Sequence, residues 1–241
     1  KNVLSRADIL AIGLNHRIDK RWLDQMPNLK VIGWQGTGLN HIDISSLKAR
    51  GIKLISLRGR KELLKRIPST AEEAMAFILA LVRNIPWAFD AVKSGSWNRM
   101  PWRGHQLYQK TIGLIGFGRL GRIMARYAKA FGMKAISYDP HVSKSLMERM
   151  GTEKVSLETI LKKSDIISLH AILTDENHNL FQEKHFRAMK PTAVFINTAR
   201  GELLEKGVLE KALKNKWIAG ASIDVMWDER SDGSHLKNNS L

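Results

Sequence analysis

The chain has 241 residues, 44% hydrophobic and 26% charged, with 39 Lys and Arg against 23 Asp and Glu, a formal net charge of +16. That length holds one large or two small domains, and the composition is that of ordinary globular protein. The absence of cysteine excludes disulfides, thiolate metal ligands and thiol catalysis. No stretch approaches the roughly 18 continuous apolar residues of a membrane span.

The opening residues do not read as a secretory signal, and the cysteine usage fits a reducing cytoplasm, the expected location. The basic residues are scattered, and only Arg58 to Arg66 forms a run. No helix-turn-helix, zinc finger or aromatic-basic stacking pattern accompanies it, so the charge reads as solvated faces and nucleic acid is not an expected partner. An anionic small substrate would gain from the same positive field.

In chain order, residues 8–13 form an apolar strand and 19–26 a short helix stopped by Pro27. A strand at 30–34 runs into the glycine-flanked turn Gly36-Thr37-Gly38. A helix at 44–50 closes on Gly51, and 52–57 form the next strand. Short helices between strands imply a small parallel sheet. After the basic run, residues 71–83 predict a strong helix with Ser69 or Thr70 available as cap and with Met75, Ile78, Leu79 and Val82 on one apolar face. This helix is expected to join two domains. Strands are expected at 112–116, 134–138, 165–170, 193–197 and 218–224. Ser156 caps a helix ending near Ser164, and another helix spans 205–214.

The strand at 112–116 turns into a helix through Gly116, Gly118 and Gly121, the G-x-G-x-x-G spacing. The first glycine makes the tight turn, the second lets the backbone approach a pyrophosphate, and the third lets helix and strand pack closely. The helix that follows carries Leu120, Ile123, Met124, Tyr127, Ala128 and Phe131 as an apolar stripe. The next strand ends on Asp139, 21 residues past Gly118. An acid there accepts the ribose hydroxyls of NAD and repels the 2′-phosphate of NADP. The pattern is that of a doubly wound sheet with ligands at the carboxyl ends of its strands, where His170, Thr198, Ala199, Arg200 and Asp224 fall.

The glycine loop, Ser-Leu-His170, Ile-Asn-Thr-Ala-Arg200-Gly-Glu and Ile-Ala-Gly-Ala-Ser-Ile-Asp224 together resemble the D-isomer-specific 2-hydroxyacid dehydrogenases, with phosphoglycerate-dehydrogenase-like members nearest. The resemblance implies an α/β architecture: a doubly wound parallel Rossmann sheet at 67–241, plus a smaller, incomplete flavodoxin-like α/β substrate domain at 1–66. It implies hydride transfer between C4 of the nicotinamide of NAD and C2 of a small 2-oxo or 2-hydroxy acid, with a histidine moving the hydroxyl proton. Arg200 would grip the carboxylate and carbonyl oxygen, as a planar bidentate donor does well. Glu229, 29 residues later, would pair with the catalytic histidine and keep it protonated. Gly36, Thr37 and Gly38 would hold the substrate carboxylate. Arg119 and Leu120 would face the pyrophosphate, while His170 and Ala171 line the cofactor cleft. Thr198 and Ala199 would line the nicotinamide pocket, and Asp224 would contact the carboxamide. No metal is implied. A homodimer is implied, through the helix near 71–83 and the segment 97–102.

Departures from the family pattern carry their own expectations. The family's acid/base histidine lies beyond Glu229, past Leu241. His235 follows Glu229 in a Ser-Asp-Gly-Ser-His stretch and is a weak candidate for it. Relatives also begin with a strand and helix ahead of Ala7. The expectation is therefore a partial record of a longer protein, with a non-catalytic NAD-binding regulator of corepressor type as the alternative. Ile172 stands where relatives with His-x-Pro have proline. Gly13 and Trp34 occupy the positions of phosphate-binding arginines, so 3-phosphoglycerate is not the expected substrate. Trp34 points instead to a bulkier or more apolar substrate group, or to packing on an interdomain face.

Overall fold

The computed structural model describes residues 3–13, 16–227 and 229. They fall into two compact units, one within residues 1–67 and one within 68–229.

In the first unit, three short strands, β1 (Ile9–Ile12), β2 (Val31–Trp34) and β3 (Lys53–Ser56), pair in parallel in that order. Ile12, Trp34 and Ser56 stand level at their carboxyl ends. Helices α1 (Lys20–Leu23), α2 (Ile44–Ala49) and α3 (Lys61–Leu64) connect and follow them. Asp19 caps α1 by accepting the Trp22 amide, and Asp43 caps α2 by accepting that of Ser46. Hydrogen bonds from Ser45 and then Ser46 hold the Asp43 carboxyl down to about 2. Ile18, Leu23, Ile32 and Leu47 close the core. The basic residues Arg58, Arg60, Lys61, Lys65 and Arg66 are all exposed.

The second unit opens with α4 (Ser69–Val82) and α5 (Ile85–Lys93). The remaining elements are β4 (Thr111–Ile115), α6 (Arg119–Ala130), β5 (Lys134–Tyr138), α7 (Lys144–Arg149), β6 (Glu153–Lys154), α8 (Leu157–Lys163), β7 (Ile166–Leu169), α9 (Glu183–Arg187), β8 (Val194–Asn197), α10 (Val208–Lys214) and β9 (Gly220–Ile223). The strands form one parallel sheet in the order β6-β5-β4-β7-β8-β9. Chain order reverses between β4 and β7, which creates the crevice where doubly wound sheets bind ligands. β7 and β8 are buried throughout, as strands covered on both faces must be. Ile112, Leu114 and Ile196 pack with α4 and α6 on one face. Ile115, Ile167 and Phe195 pack with α8, α9 and α10 on the other. Phe181, Phe186 and Phe195 meet there at centroid distances of 5.0–5.5 Å.

Two caps differ from expectation. Ser69 and Thr70 lie inside the first turn of α4. Pro68 is the N-cap, and its carbonyl accepts the Ala71 and Glu72 amides, so no side chain caps the helix. The helix expected from 205 starts at Val208, because Gly207 adopts φ +76° and the Glu205 amide is spent on Phe181 O. α5 and β6 were not anticipated. Asn84 takes a left-handed conformation ahead of α5, where Pro86 fits the first turn without needing a donor. Edge strand β6 is two residues defined only by pairing with β5. Among the described residues, no single helix is long and apolar enough to cross a membrane.

Candidate cofactor and substrate site

The three glycines after β4 differ in what surrounds them. Gly116 has φ +93°, and a side chain there would come within 2.6 Å of the Ala171 amide nitrogen and 2.7 Å of the His170 carbonyl group. At Gly121 a methyl would overlap the Gly116 carbonyl oxygen, so α6 and β4 approach only because this residue has no Cβ. Gly118 has open space where its Cβ would be, with no atom within 4 Å. It is the N-cap of α6, and no side chain caps that first turn. An anion can therefore approach amides that carry the helix's positive end.

Asp139 lies beside this loop at the end of β5. Its Oδ2 accepts the Phe117 amide at 2.8 Å and its Oδ1 the His141 amide at 2.9 Å. A carboxylate has about four acceptor sites, so each oxygen retains capacity for a ribose hydroxyl.

At the end of β7, His170 is 9% exposed, and its Nε2 lies 2.9 Å from the buried Ser168 hydroxyl. Its Nδ1 is buried without a partner, and burial lowers its pKa to about 4. Burial therefore favours the neutral ring, which keeps one N–H but lacks the acidic second proton of an imidazolium. Thr198 follows the last residue of the neighbouring β8, and its Oγ1 is also buried and unpartnered. Buried polar atoms are nearly always satisfied, so two such atoms at the ends of adjacent strands point to a ligand's hydrogen bonds.

Asn197 shapes the next loop. Its side-chain amide donates to Arg200 O at 2.9 Å, and its oxygen accepts the Ala199 amide at 3.0 Å. Arg200 is half-buried, with Nη1 donating to Ala199 O at 2.6 Å. At β9 the Asp224 amide donates to Asn197 O at 3.0 Å, and burial pushes its carboxyl above the ordinary range. Burial, and then the Asp224 charge, raise Glu73 of α4 as well, which sets two acids together at this end of the sheet. Glu229 is exposed, its Oε1 accepting the Met226 amide at 2.6 Å. A side chain at Gly201 would come 2.7 Å from the Trp227 nitrogen, and the Trp227 indole donates to Leu204 O at 2.7 Å. The segment leading to Glu229 is thus docked against the loop that carries Arg200. Gly116 to Gly121, Asp139, His170, Ala171, Thr198 to Arg200 and Asp224 all lie at the carboxyl edge of one sheet. His235 lies outside the described residues.

In the first unit, Gly36-Thr37-Gly38 follows β2. The Gly36 carbonyl accepts the Leu57 amide at 3.2 Å and the Gly38 carbonyl accepts Trp34 Nε1 at 2.7 Å. The amides of Gly36, Thr37 and Gly38 donate to no described group. Trp34 itself is buried against this turn, so the sequence reading of its indole as a gauge of substrate size is corrected. The supporting roles of Asn197, Ser168 and Trp34 were missed. Asn197 had a usable signal in its place between a buried strand and Arg200.

Residues 75–240 match the family model for the NAD binding domain of D-isomer specific 2-hydroxyacid dehydrogenases, and residues 1–61 match the model for their catalytic domain. The chain belongs to this family. A D-isomer specific 2-hydroxyacid dehydrogenase chain of this kind is 40% identical over 229 residues to a glyoxylate reductase from Thermococcus litoralis, covering 92% of this chain and 68% of the relative. It is 36% identical to a D-3-phosphoglycerate dehydrogenase from Methanocaldococcus jannaschii, covering 92% of this chain and 42% of that one. D-lactate dehydrogenase from Aquifex aeolicus, solved with NAD and lactic acid, superposes with a TM-score of 0.81 at 33% identity, covering 94% of this chain and 67% of that one. The family's members are NAD-dependent oxidoreductases, and NAD is the cofactor of the matched domain. The residues fit it: an uncapped helix start beside the open space at Gly118, an acid bonded to the glycine loop at the end of β5 and two orphaned polar atoms along the same edge.

Proposed function

We propose that the protein, in its full-length form, interconverts a D-2-hydroxy acid and its 2-oxo acid, with residues 67–241 holding NAD and residues 1–66 contributing to the substrate site. The observation that carries this reading is the placement, after the adjacent strands β4, β7 and β8 of the second sheet, of the Gly118 opening and the unpartnered His170 Nδ1 and Thr198 Oγ1. Bound NAD supplies or accepts the hydride at C4 of its nicotinamide. The chain's own residues do the rest. Gly116, Gly118, Arg119, Leu120 and Gly121 receive the diphosphate, and Asp139 receives the ribose hydroxyls while rejecting a 2′-phosphate. His170 and Ala171 wall the cleft, Thr198 and Ala199 border the nicotinamide, and Asp224 accepts from its carboxamide.

Arg200 binds the substrate's carboxylate and carbonyl oxygen and stabilises the negative charge that grows on that oxygen. The unspent amides of Gly36, Thr37 and Gly38 are suited to a substrate carboxylate. Glu229 raises the pKa of a histidine lying outside the described residues, so that it delivers a proton near neutrality. The neutral His170 does not fill that role.

Small 2-oxo acids such as glyoxylate and pyruvate are the proposed substrates, in line with the named activities of the relatives. A homodimer is proposed through α5 and the segment after it, where Ile85, Trp87, Phe89, Val92, Trp97 and Met100 are exposed together. The apolar face of α4 is spent inside its own core. A cytoplasmic location is proposed from the lack of cysteine.

The test is NADH oxidation by the full-length protein against a panel of 2-oxo acids, with chiral analysis of the product. The expected result is turnover of at least one acid to its D-hydroxy product. NADH binding without turnover of any acid contradicts the reading and favours the non-catalytic regulator.

A further inference from the structure

We propose that Trp34 is a positioning residue that fixes the turn Gly36-Thr37-Gly38 in the shape that receives a carboxylate. The proposal rests on the reading above that this turn binds the substrate's carboxylate, and it adds the reason the turn can do so.

Trp34 is the last residue of β2 and is 7% exposed. Its indole turns back under the chain that follows. A methyl group on Gly36 would lie 2.6 Å from Cε2 and 2.9 Å from Nε1 of that ring, so the indole occupies the place of a side chain at Gly36. The same ring donates Nε1–H to the Gly38 carbonyl at 2.7 Å. His41 abuts it edge-on, with ring centroids 4.6 Å apart at 71°. The indole therefore meets the His41 ring and engages the turn at two residues, Gly36 and Gly38.

The peptide unit is planar and trans, so a carbonyl and the following N–H point in opposite directions. Tying the Gly36 carbonyl to the Leu57 amide turns the Thr37 N–H away from Leu57. Tying the Gly38 carbonyl to the indole turns the Leu39 N–H away from Trp34. Neither amide donates to any described group. Two amides thus face away from the carbonyls' partners, at a spacing set by rigid groups. Preorganised donors of this kind bind a carboxylate without reordering when it arrives. No other side-chain donor fixes a carbonyl of this turn among the described residues, so removal of the indole N–H releases the Gly38 peptide to rotate.

The experiment uses the full-length, NADH-loaded protein and oxamate, an unreactive analogue of a 2-oxo acid. Backbone amide resonances of Gly36, Thr37, Gly38 and Leu39, and the Trp34 Nε1–H resonance, are followed during the titration. In the unmutated protein all are expected to move with one dissociation constant. In Trp34→Phe, which keeps a ring but loses the donor, that constant rises about five- to tenfold. KM for the 2-oxo acid rises with it, while kcat changes less than about twofold and NADH affinity is unchanged. An equal oxamate constant in Trp34→Phe, or a parallel loss of NADH affinity, overturns the positioning role. If Trp34→Phe does not fold, the unmutated protein decides: a Trp34 Nε1–H resonance that stays still while the turn amides move overturns the proposal. Turnover of a 2-oxo acid with turn amides that ignore oxamate overturns the reading of the turn itself, and the proposal with it.

Discussion

Two glycine turns follow parallel strands in this molecule, and they are built on different principles. At Gly116 to Gly121 the constraint is backbone against backbone: Gly116 abuts the His170–Ala171 peptide, and Gly121 abuts the Gly116 carbonyl. Neither neighbour can rotate away without taking a strand or helix with it. At Gly36 the neighbour is a side chain, the Trp34 indole, which has rotamers to yield. The first turn is followed by the twelve residues of α6 and its N-terminal dipole. The second has no helix behind it and relies on amides exposed by tying back its carbonyls. The proposed diphosphate site is thus fixed by the fold, whereas the proposed carboxylate site depends on one tunable contact.

The largest effect that sharpens this contrast is expected from Gly121→Ala. A Cβ there meets a carbonyl that cannot move, and a loss of about 3 kcal/mol or more is expected in urea unfolding, with NADH binding abolished. A loss below about 1 kcal/mol would break the comparison.

Acid sensitivity follows in size. His170 has a folded pKa of about 4 against an ordinary 6.5, so between these values the unfolded chain binds the extra proton. Stability is then full above 6.5, falls as pH drops from 6.5 to 4 by about 3 kcal/mol, and levels off below. His170→Asn should flatten that slope, and an unchanged slope would remove His170 as its source.

Gly36→Ala is expected to cost less, about 1–2 kcal/mol, because the indole swings aside. It should also shift the Trp34 fluorescence, while NADH affinity stays as it was.

Much of this was legible because several residues carry local and chemical meaning at once. The G-x-G-x-x-G run is both a turn signal and a phosphate site, and Asp139 falls where the second strand must end. β7 and β8 are legible as strands from mostly apolar runs, into which only Ser168 and Asn197 bring polar side chains. What escaped depends on rotamers and pairing. Trp34 reads as a gauge of substrate size or as interdomain packing, whereas its indole lies against Gly36. Ser69 and Thr70 have the chemistry of caps, but Pro68 starts the helix one step earlier. The buried neutrality of His170 depends on packing that no spacing encodes.

The smallest change in stability is expected at Gly118. Its φ of −72° suits any residue and its Cβ direction is open, so Gly118→Ala should alter stability by no more than about 0.5 kcal/mol. NADH affinity should nonetheless fall about tenfold or more, because the methyl occupies the diphosphate's approach. Unchanged NADH affinity would mean that the opening is not the cofactor's.

The most direct test of the enzymatic account is steady-state reduction of a 2-oxo acid by the full-length protein and its Arg200→Ala variant, with NADH affinity measured alongside. The account predicts a fall in kcat/KM of about a thousandfold, on the order of 4 kcal/mol, at unchanged NADH affinity. Retained turnover in Arg200→Ala would contradict it.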